Sequence, residues 1–371
     1  MTHFILERTH LPFQVLCSTK RPQTTNEVEP STNVAVRPPH VSVGGRALEI
    51  TGTNKPDFLS EISAAITEMN FPITAGVTWT HSNRLAAILY IDGTHERLRK
   101  LEEHLALIVD ARHVSNERRS VRLTTNPTHT EHRLHQMLCS DFDYQPCHGC
   151  IKGDSNHKRN CTEIHVMIEP QSESGYLIVN IRSKDRPKLL FDTICALTDA
   201  DYSVFHAAIN SCEEIAEQEY FIKPKQGGCG MITSGERERL AQCIIAAIER
   251  RLANGVKLEV RAEDRMGMLA DVTRAMRENG VSVSRAEFGR QGERAVGSFY
   301  VVDSSEPEIE VKQQVIEVVR KEIGSSMVRV NESPEWSPRS LGREDGGSEK
   351  KQWSLAGMIW SHFGPFTSNL G

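Results

Sequence analysis

Three stretches of this chain share one frame of strand, polar loop and helix, and that internal repeat constrains the fold more than any other feature. They run Leu48–Leu59, Val179–Leu190 and Leu258–Leu269. Each opens with apolar residues two apart (Leu48/Ile50, Val179/Ile181, Leu258/Val260), the spacing that sets side chains on one face of a strand. A helical stripe follows each loop: Phe58, Leu59, Ile62, Ile66 and Met69; then Leu189, Leu190, Ile194 and Leu197; then Met268, Leu269, Val272 and Met276. Alternating strands come next, at Phe71/Ile73/Ala75/Val77, Tyr202/Val204/His206/Ala208 and Val281/Val283/Arg285.

The back half of each copy adds a strand and a helix. Third strands are expected at Leu85–Ile91, Glu219–Lys223 and Ala295–Val302, with a Gly-containing hairpin turn at Gly289–Gly292. Second helices are expected over Glu96–Val109, Gly235–Leu252 and Glu308–Ile323. Ser120–Thr124 and Ser325–Val330 supply a final strand to the first and third copies. The second copy runs through Asn254-Gly255 straight into the next, so its fourth strand is missing or shared. The pattern is α+β: tandem ferredoxin-like modules (βαββαβ), with antiparallel sheets and helices on one face. The expected layout is a disordered leader over 1–45, modules over 46–125, 176–252 and 256–331, a linker over 126–175, and a flexible tail over 332–371. Open sheet edges invite side-by-side packing of modules, within the chain or between two chains.

Composition excludes several classes. A net charge of −5 argues against a dedicated nucleic-acid binder, and no apolar run reaches the roughly 18 residues of a membrane span. Met1–Lys20 lacks the continuous apolar stretch of a secretory signal, so cytoplasm or nucleus is expected and the nine cysteines read as reduced thiols.

Asp185-Arg186-Pro187-Lys188-Leu189-Leu190 and Asp264-Arg265-Met266-Gly267-Met268-Leu269 resemble the Asp-Arg-Pro-Gly-Leu-Leu turn of ACT domains. These are regulatory modules named after aspartokinase, chorismate mutase and a prephenate enzyme. The arrangement most resembles the plant ACR proteins, built from ACT repeats and little else. The spacer Thr130–Leu138, leading to Asp141–Tyr144, is similar to a segment those proteins carry between repeats. The resemblance covers roughly Gly45 to Asn331. It implies four ACT domains where three are present; a shorter relative and an incomplete gene model both account for the copy absent ahead of Arg46.

The resemblance implies an amino-acid effector bound in the loop between first strand and first helix, often at an interface between modules. Helix N-terminal N–H groups attract a carboxylate, and a Gly lets a ligand approach the backbone. The third loop (Asp264, Arg265, Gly267, Met268) keeps most of the motif. The second (Asp185, Arg186, Lys188, Leu189) has Lys188 at the Gly position, and the first (Asn54, Lys55, Asp57) has Asp57 there. The competing reading is structural: Asp and Asn cap the helices and Pro starts them. Leu59, Leu190 and Leu269 are expected in the core.

His132, His135, Cys139, Cys147, Cys150, His157 and Cys161 crowd one connecting stretch, but only one Cys pair has close spacing. A polar linker is favoured over zinc, and neither a metal nor a cofactor is expected. Gly227–Gly230 lacks the Lys-Ser/Thr of a phosphate loop and reads as a turn. Glu213, Glu214, Glu217 and Glu219 read as a solvated edge, and Arg250-Arg251 as cations complementing a helix end.

The leading expectation is a non-catalytic sensor that binds a free amino acid or related small molecule and pairs with itself or a partner protein through its modules. The alternatives are an interaction scaffold without a ligand and the regulatory part of a nucleotidyltransferase-type nitrogen sensor. No enzyme activity is expected: only Glu7, Glu27 and Glu29 supply acids ahead of the first copy.

Overall fold

The computed structural model describes residues 2–5, 16–17, 46–111, 118–125, 129–145, 164–171, 175–212, 214–225, 232–252, 255–305, 311–324 and 326–331. Two short strands, β1 (Thr2–Ile5) and β2 (Leu16–Cys17), precede the repeats. Repeat 1 comprises β3 (Arg46–Thr53), α1 (Phe58–Glu68), β4 (Ile73–His81), β5 (Arg84–Ile91), α2 (His95–Ala111) and β6 (Ser120–Thr125). A spacer helix α3 (Thr130–Ser140) and strand β7 (His165–Gln171) follow. Repeat 2 continues with β8 (Tyr176–Lys184), α4 (Leu189–Asp199), β9 (Tyr202–Cys212), β10 (Ile215–Pro224) and α5 (Ser234–Glu249). Repeat 3 is β11 (Val256–Glu263), α6 (Met268–Glu278), β12 (Val281–Gln291), β13 (Arg294–Asp303), α7 (Gln313–Ile323) and β14 (Val328–Asn331).

The aligned apolar positions build the cores. Leu48, Val179 and Leu258 are each 0% exposed, as are Ile66, Leu197 and Met276. Leu59 and Leu269 are buried, and Leu190 packs against the second core half-buried. Local chemistry repeats too. Asn70, Asp201 and Gly280 hold positive φ at the same place after each first helix, where a left-handed residue ends the helix. A register shift recurs at the start of β4, in β9 and in β12, skipping Thr74, Phe205 and Ser284.

Repeats 1 and 3 join in one eight-stranded sheet of order β14-β11-β13-β12-β4-β5-β3-β6. The joint is the antiparallel pair β4–β12, which sets Val77 opposite Glu287 and Gly76 opposite Phe288. Val77 and Glu287 are counterparts in the aligned repeats. So are Ser63 of α1 and Thr273 of α6, 210 residues apart, whose hydroxyls meet at 3.0 Å in the buried helix contact. Counterparts that touch each other mark a two-fold axis, so repeats 1 and 3 form an internal pseudo-dimer with a single continuous core.

Repeat 2 has its own sheet, ordered β2-β1-β9-β10-β8-β7. Its fourth strand is neither missing nor shared: β7, from ahead of the repeat, pairs with β8 along its whole length. The second helices and last strands otherwise lie close to the expected ranges; α7 is described from Gln313.

The segment read as a linker holds, among its described residues, a helix as well as β7. Leu134, Met137 and Leu138 recur at helical spacing and bury against Trp79, Ala86, Ile88 and Tyr90. These sheet residues alternate with Leu85, Ala87, Leu89 and Ile91 of the main core. The α3 helix therefore covers the face of repeat 1's sheet that α1 and α2 leave open, a departure from helices on one face alone. In the glutamate run Glu214 is exposed and Glu217 partly so, as a solvated edge would have them, but Glu219 is not. Glu219 is 2% exposed because it lies mid-strand between β8 and β9, opposite Asn180 and Ala208. Glu213, Gly227–Gly230, Cys147, Cys150, His157, Cys161 and the tail 332–371 lie outside the described residues.

Candidate functional site

The same loop position takes two conformations. Gly267 sits at the N-cap of α6 with φ +80° and Lys188 at that of α4 with φ +65°, both left-handed, whereas Asp57 before α1 has φ −95°. A left-handed residue costs an L side chain roughly 1–2 kcal/mol, which Gly avoids. Asp57 escapes that cost by a right-handed turn. No side-chain cap bond forms at any of the three N-caps, so capping by the aspartate, weighed above, does not occur there.

The third loop opens onto a pocket. Asp264, Arg265, Met266, Gly267 and Met268 line one side of a cavity of about 40 Å³. Thr67 and Phe71–Thr74 of repeat 1 line the other, with Phe288–Arg290 at the back. The walls thus come from both members of the pseudo-dimer. A Cβ on Gly267 would stand 3.1 Å from the Thr67 methyl, so the two repeats approach closely there. Asp264 accepts from Arg290 at 2.6 Å, and Arg265 reaches out to Asp271 at 2.5 Å with its side chain 60% exposed. The α6 N-terminus has no side-chain cap and borders this space, with the Met268 N–H donating to the Arg265 carbonyl at 3.2 Å.

The second loop is engaged by the fold. Arg186 is 6% exposed, donating to Asp192 at 2.7 Å and to the Ile248 carbonyl at 2.7 Å. The Arg186–Asp192 pair is the counterpart of Arg265–Asp271, buried in one repeat and exposed in the other. Burial pushes the Arg186 pKa down despite Asp192. Lys188 donates to Glu131 of α3 at 2.6 Å, Leu189 is core, and the Asp185 N–H donates to the Glu214 carbonyl. In the first loop the Asn54 N–H donates to the Asn83 carbonyl; Lys55 is half-buried, and Asp57 starts α1. The three loops therefore do not converge on one site.

Where α3 meets repeat 2, the structure buries a network of charge. Arg250 (4% exposed) grips Asp143 through two bonds of 2.7 and 2.6 Å. The two ring nitrogens of His81 face Asp143 at 2.9 Å and Glu249 at 3.2 Å. Burial alone would lower the His81 pKa, but these two carboxylates raise it. Burial would raise the Asp143 pKa, yet His81 and Arg250 hold it at about 2. His135 bonds Asp192 at 2.9 Å, and burial dominates in lowering its pKa. Arg251 clamps Asp192 and Glu131 and stands 5.0 Å from the Trp79 ring centroid. Arg250-Arg251 are thus buried anchors joining α3 to repeat 2, not cations decorating a helix end. His132 and His135, weighed above as metal ligands, are taken by Asp199 and Asp192. Among the described residues no group of three or more His, Cys, Asp or Glu side chains is placed to hold a metal ion.

The sequence reading named the third-loop residues that line this pocket but none of the wall that repeat 1 supplies. Thr67 and Phe71–Thr74 resemble any helix end and strand start, and nothing local says which repeat faces them. The one available signal was the ungapped spacing of 210 that relates repeats 1 and 3.

Comparison with known proteins agrees with this architecture. The ACT domain family model matches residues 256–323. The ACT domain-containing protein ACR1 of Arabidopsis thaliana is 40% identical, covering 94% of this chain and 76% of that protein. ACR3 of the same plant is 41% identical, covering 76% of this chain; the chain spans only 63% of ACR3's length. Aspartate kinase from Synechocystis overlaps 78% of this chain and 44% of its own, at 11% identity. A TM-score of 0.20 leaves that overlap without weight for function. No described helix is long and apolar enough to cross a membrane.

Proposed function

The chain belongs to the ACR family of ACT domain-containing proteins, and on that premise we propose that it is a non-catalytic sensor binding a small free amino acid between repeats 1 and 3. The observation that carries the reading is the third loop: its Gly267 N-cap borders a pocket whose other wall is repeat 1. The ligand carboxylate meets the α6 N-terminus, the ammonium lies toward Asp264, and the side chain packs on Met266, Met268, Phe71 and Ile73. Such a ligand favours the joined arrangement of the two repeats, because it contacts both at once. Cytoplasm or nucleus is the compartment this role fits.

Calorimetry with a panel of free amino acids tests the proposal, repeated on Gly267→Asp. Aspartate tolerates a left-handed backbone better than most residues, and its carboxylate competes for the N–H groups a ligand needs. A heat signal with at least one amino acid, weakened tenfold or more by the substitution, is expected. No signal from any member, or binding unchanged by the substitution, overturns it. A second reading, an interaction scaffold without a small ligand, is favoured by the second loop, whose Arg186 and Lys188 are spent on Asp192 and Glu131.

A further inference from the structure

The contact between α3 and α5 carries a thiol pair that ligand binding leaves unused. Cys139 lies in the last turn of α3 and Cys243 in the middle of α5. Cys139 packs against a small cluster made by Tyr144, Cys243 and Ala246, with Phe142 alongside. Its residue is partly exposed, whereas Cys243 is 8% exposed. The two thiols are neighbours in this cluster, each shifting the other's acidity. Arg250, at the end of the same α5, is fixed by its two bonds to Asp143 and so keeps its charge beside the pair.

We propose that Cys139 and Cys243 form a reversible redox pair, whose disulfide ties the spacer helix to repeat 2. The oxidant is a hydroperoxide. The Cys139 thiolate attacks the terminal peroxide oxygen, the O–O bond breaks, and the departing oxygen takes a proton to leave as water or an alcohol. Cys139 is then a sulfenic acid. The Cys243 sulfur attacks it, the S–O bond breaks, and the Cys243 proton leaves with the hydroxyl as water. Two thiols have lost two electrons and the peroxide has gained them. A small dithiol reverses the step and becomes a disulfide itself.

The electrostatics assign the roles. The pairing with Cys243 is the largest influence lowering the Cys139 pKa, to about 7; Arg250 adds to it, while burial and Asp143 oppose. The same pairing and burial push the Cys243 thiol up, so Cys139 is the sulfur that meets the peroxide. Cys195 of α4 marks the contrast: burial, with Asp199 and Asp192 nearby, pushes it to about 12. Since α3 also seats on repeat 1's sheet, the disulfide fastens repeat 2 to the pseudo-dimer.

The full chain is treated with hydrogen peroxide, alkylated, digested without reduction and examined by mass spectrometry. A Cys139–Cys243 linked peptide that disappears on adding dithiothreitol is expected. Before oxidation, native Cys139 should take up iodoacetamide at pH 7 roughly tenfold or more faster than Cys195, whose thiol is buried and pushed up while that of Cys139 is pushed down. In Cys243→Ser the link is lost and dimedone traps a sulfenic acid at Cys139; in Cys139→Ser, Cys243 stays unmodified. If Cys243→Ser does not fold, the wild-type link and alkylation rates decide. Absence of the linked peptide, over-oxidation of Cys139 without it, or equal alkylation of Cys139 and Cys195 overturns the proposal.

Discussion

Replacing Arg250 by methionine tests whether the buried ion network holds the repeats together. The guanidinium is 4% exposed and donates twice to Asp143, itself 2% exposed, and once to the His135 carbonyl at 3.3 Å. Removing one partner of a buried ion pair costs about 3–5 kcal/mol, because the other charge remains desolvated. His81 still faces Asp143 at 2.9 Å, which argues for the lower end, about 3 kcal/mol. In urea, with a slope near 2 kcal/mol/M, the midpoint falls by about 1.5 M while the slope stays constant. Arg274→Met is the control: it meets Asp271 with side chains 56% and 39% exposed, and its loss costs under about 0.5 kcal/mol. The double variant Arg250→Met/Asp143→Leu should be more stable than the sum of the two singles, since it leaves neither partner charged and alone. Equal midpoints for Arg250→Met and Arg274→Met, or strict additivity in the double variant, refute the reasoning.

Three further outcomes follow from the same geometry. Gly76→Ala places a Cβ 2.4 Å from the Phe288 ring and 2.8 Å from Leu89, and should cost about 1–3 kcal/mol by thermal or urea melts. Gly235→Ala, with nothing within 4 Å, should cost none of it. Ser63→Ala removes the hydroxyl contact on the pseudo-two-fold axis and should cost about 1 kcal/mol; a double-mutant cycle with Thr273→Ala should show coupling that unrelated positions lack. Asp143 has a folded pKa of about 2 against an ordinary 3.8, so its contribution of about 2 kcal/mol is present above pH 4. It is lost as pH falls through 2, and acid titration of Asp143→Asn should show a flatter stability profile than the parent.

The repeats were legible because their determinants are local. Leu48 and Ile50, Val179 and Ile181, and Leu258 and Val260 alternate within a few residues, and each burial follows from its own strand. Gly267 was legible for a similar reason: a left-handed N-cap in a polar loop favours glycine. What escaped depends on partners far along the chain. Arg250 and Arg251 read as cations at a helix end until α3 and the turn after it bring His135, Glu131 and Asp143 to them. The β7 strand precedes the repeat it completes, so a search for its counterpart after α5 was bound to fail. Trp79 resembles a residue on an open sheet face; its burial becomes visible only once His135 packs edge-on against it at 5.1 Å.

The pairing of β4 with β12 has a consequence during synthesis. The partner of β4 lies about 210 residues downstream, with all of repeat 2 encoded in between. At roughly 5–20 residues per second, the ribosome takes about 10–40 s to supply it. For most of that interval, once β6 has followed, β4 is an unmated strand edge on an otherwise complete module, able to pair with the same edge of another nascent chain. The order in which the repeats are encoded therefore sets a waiting time, and repeat 1 spends it half-assembled.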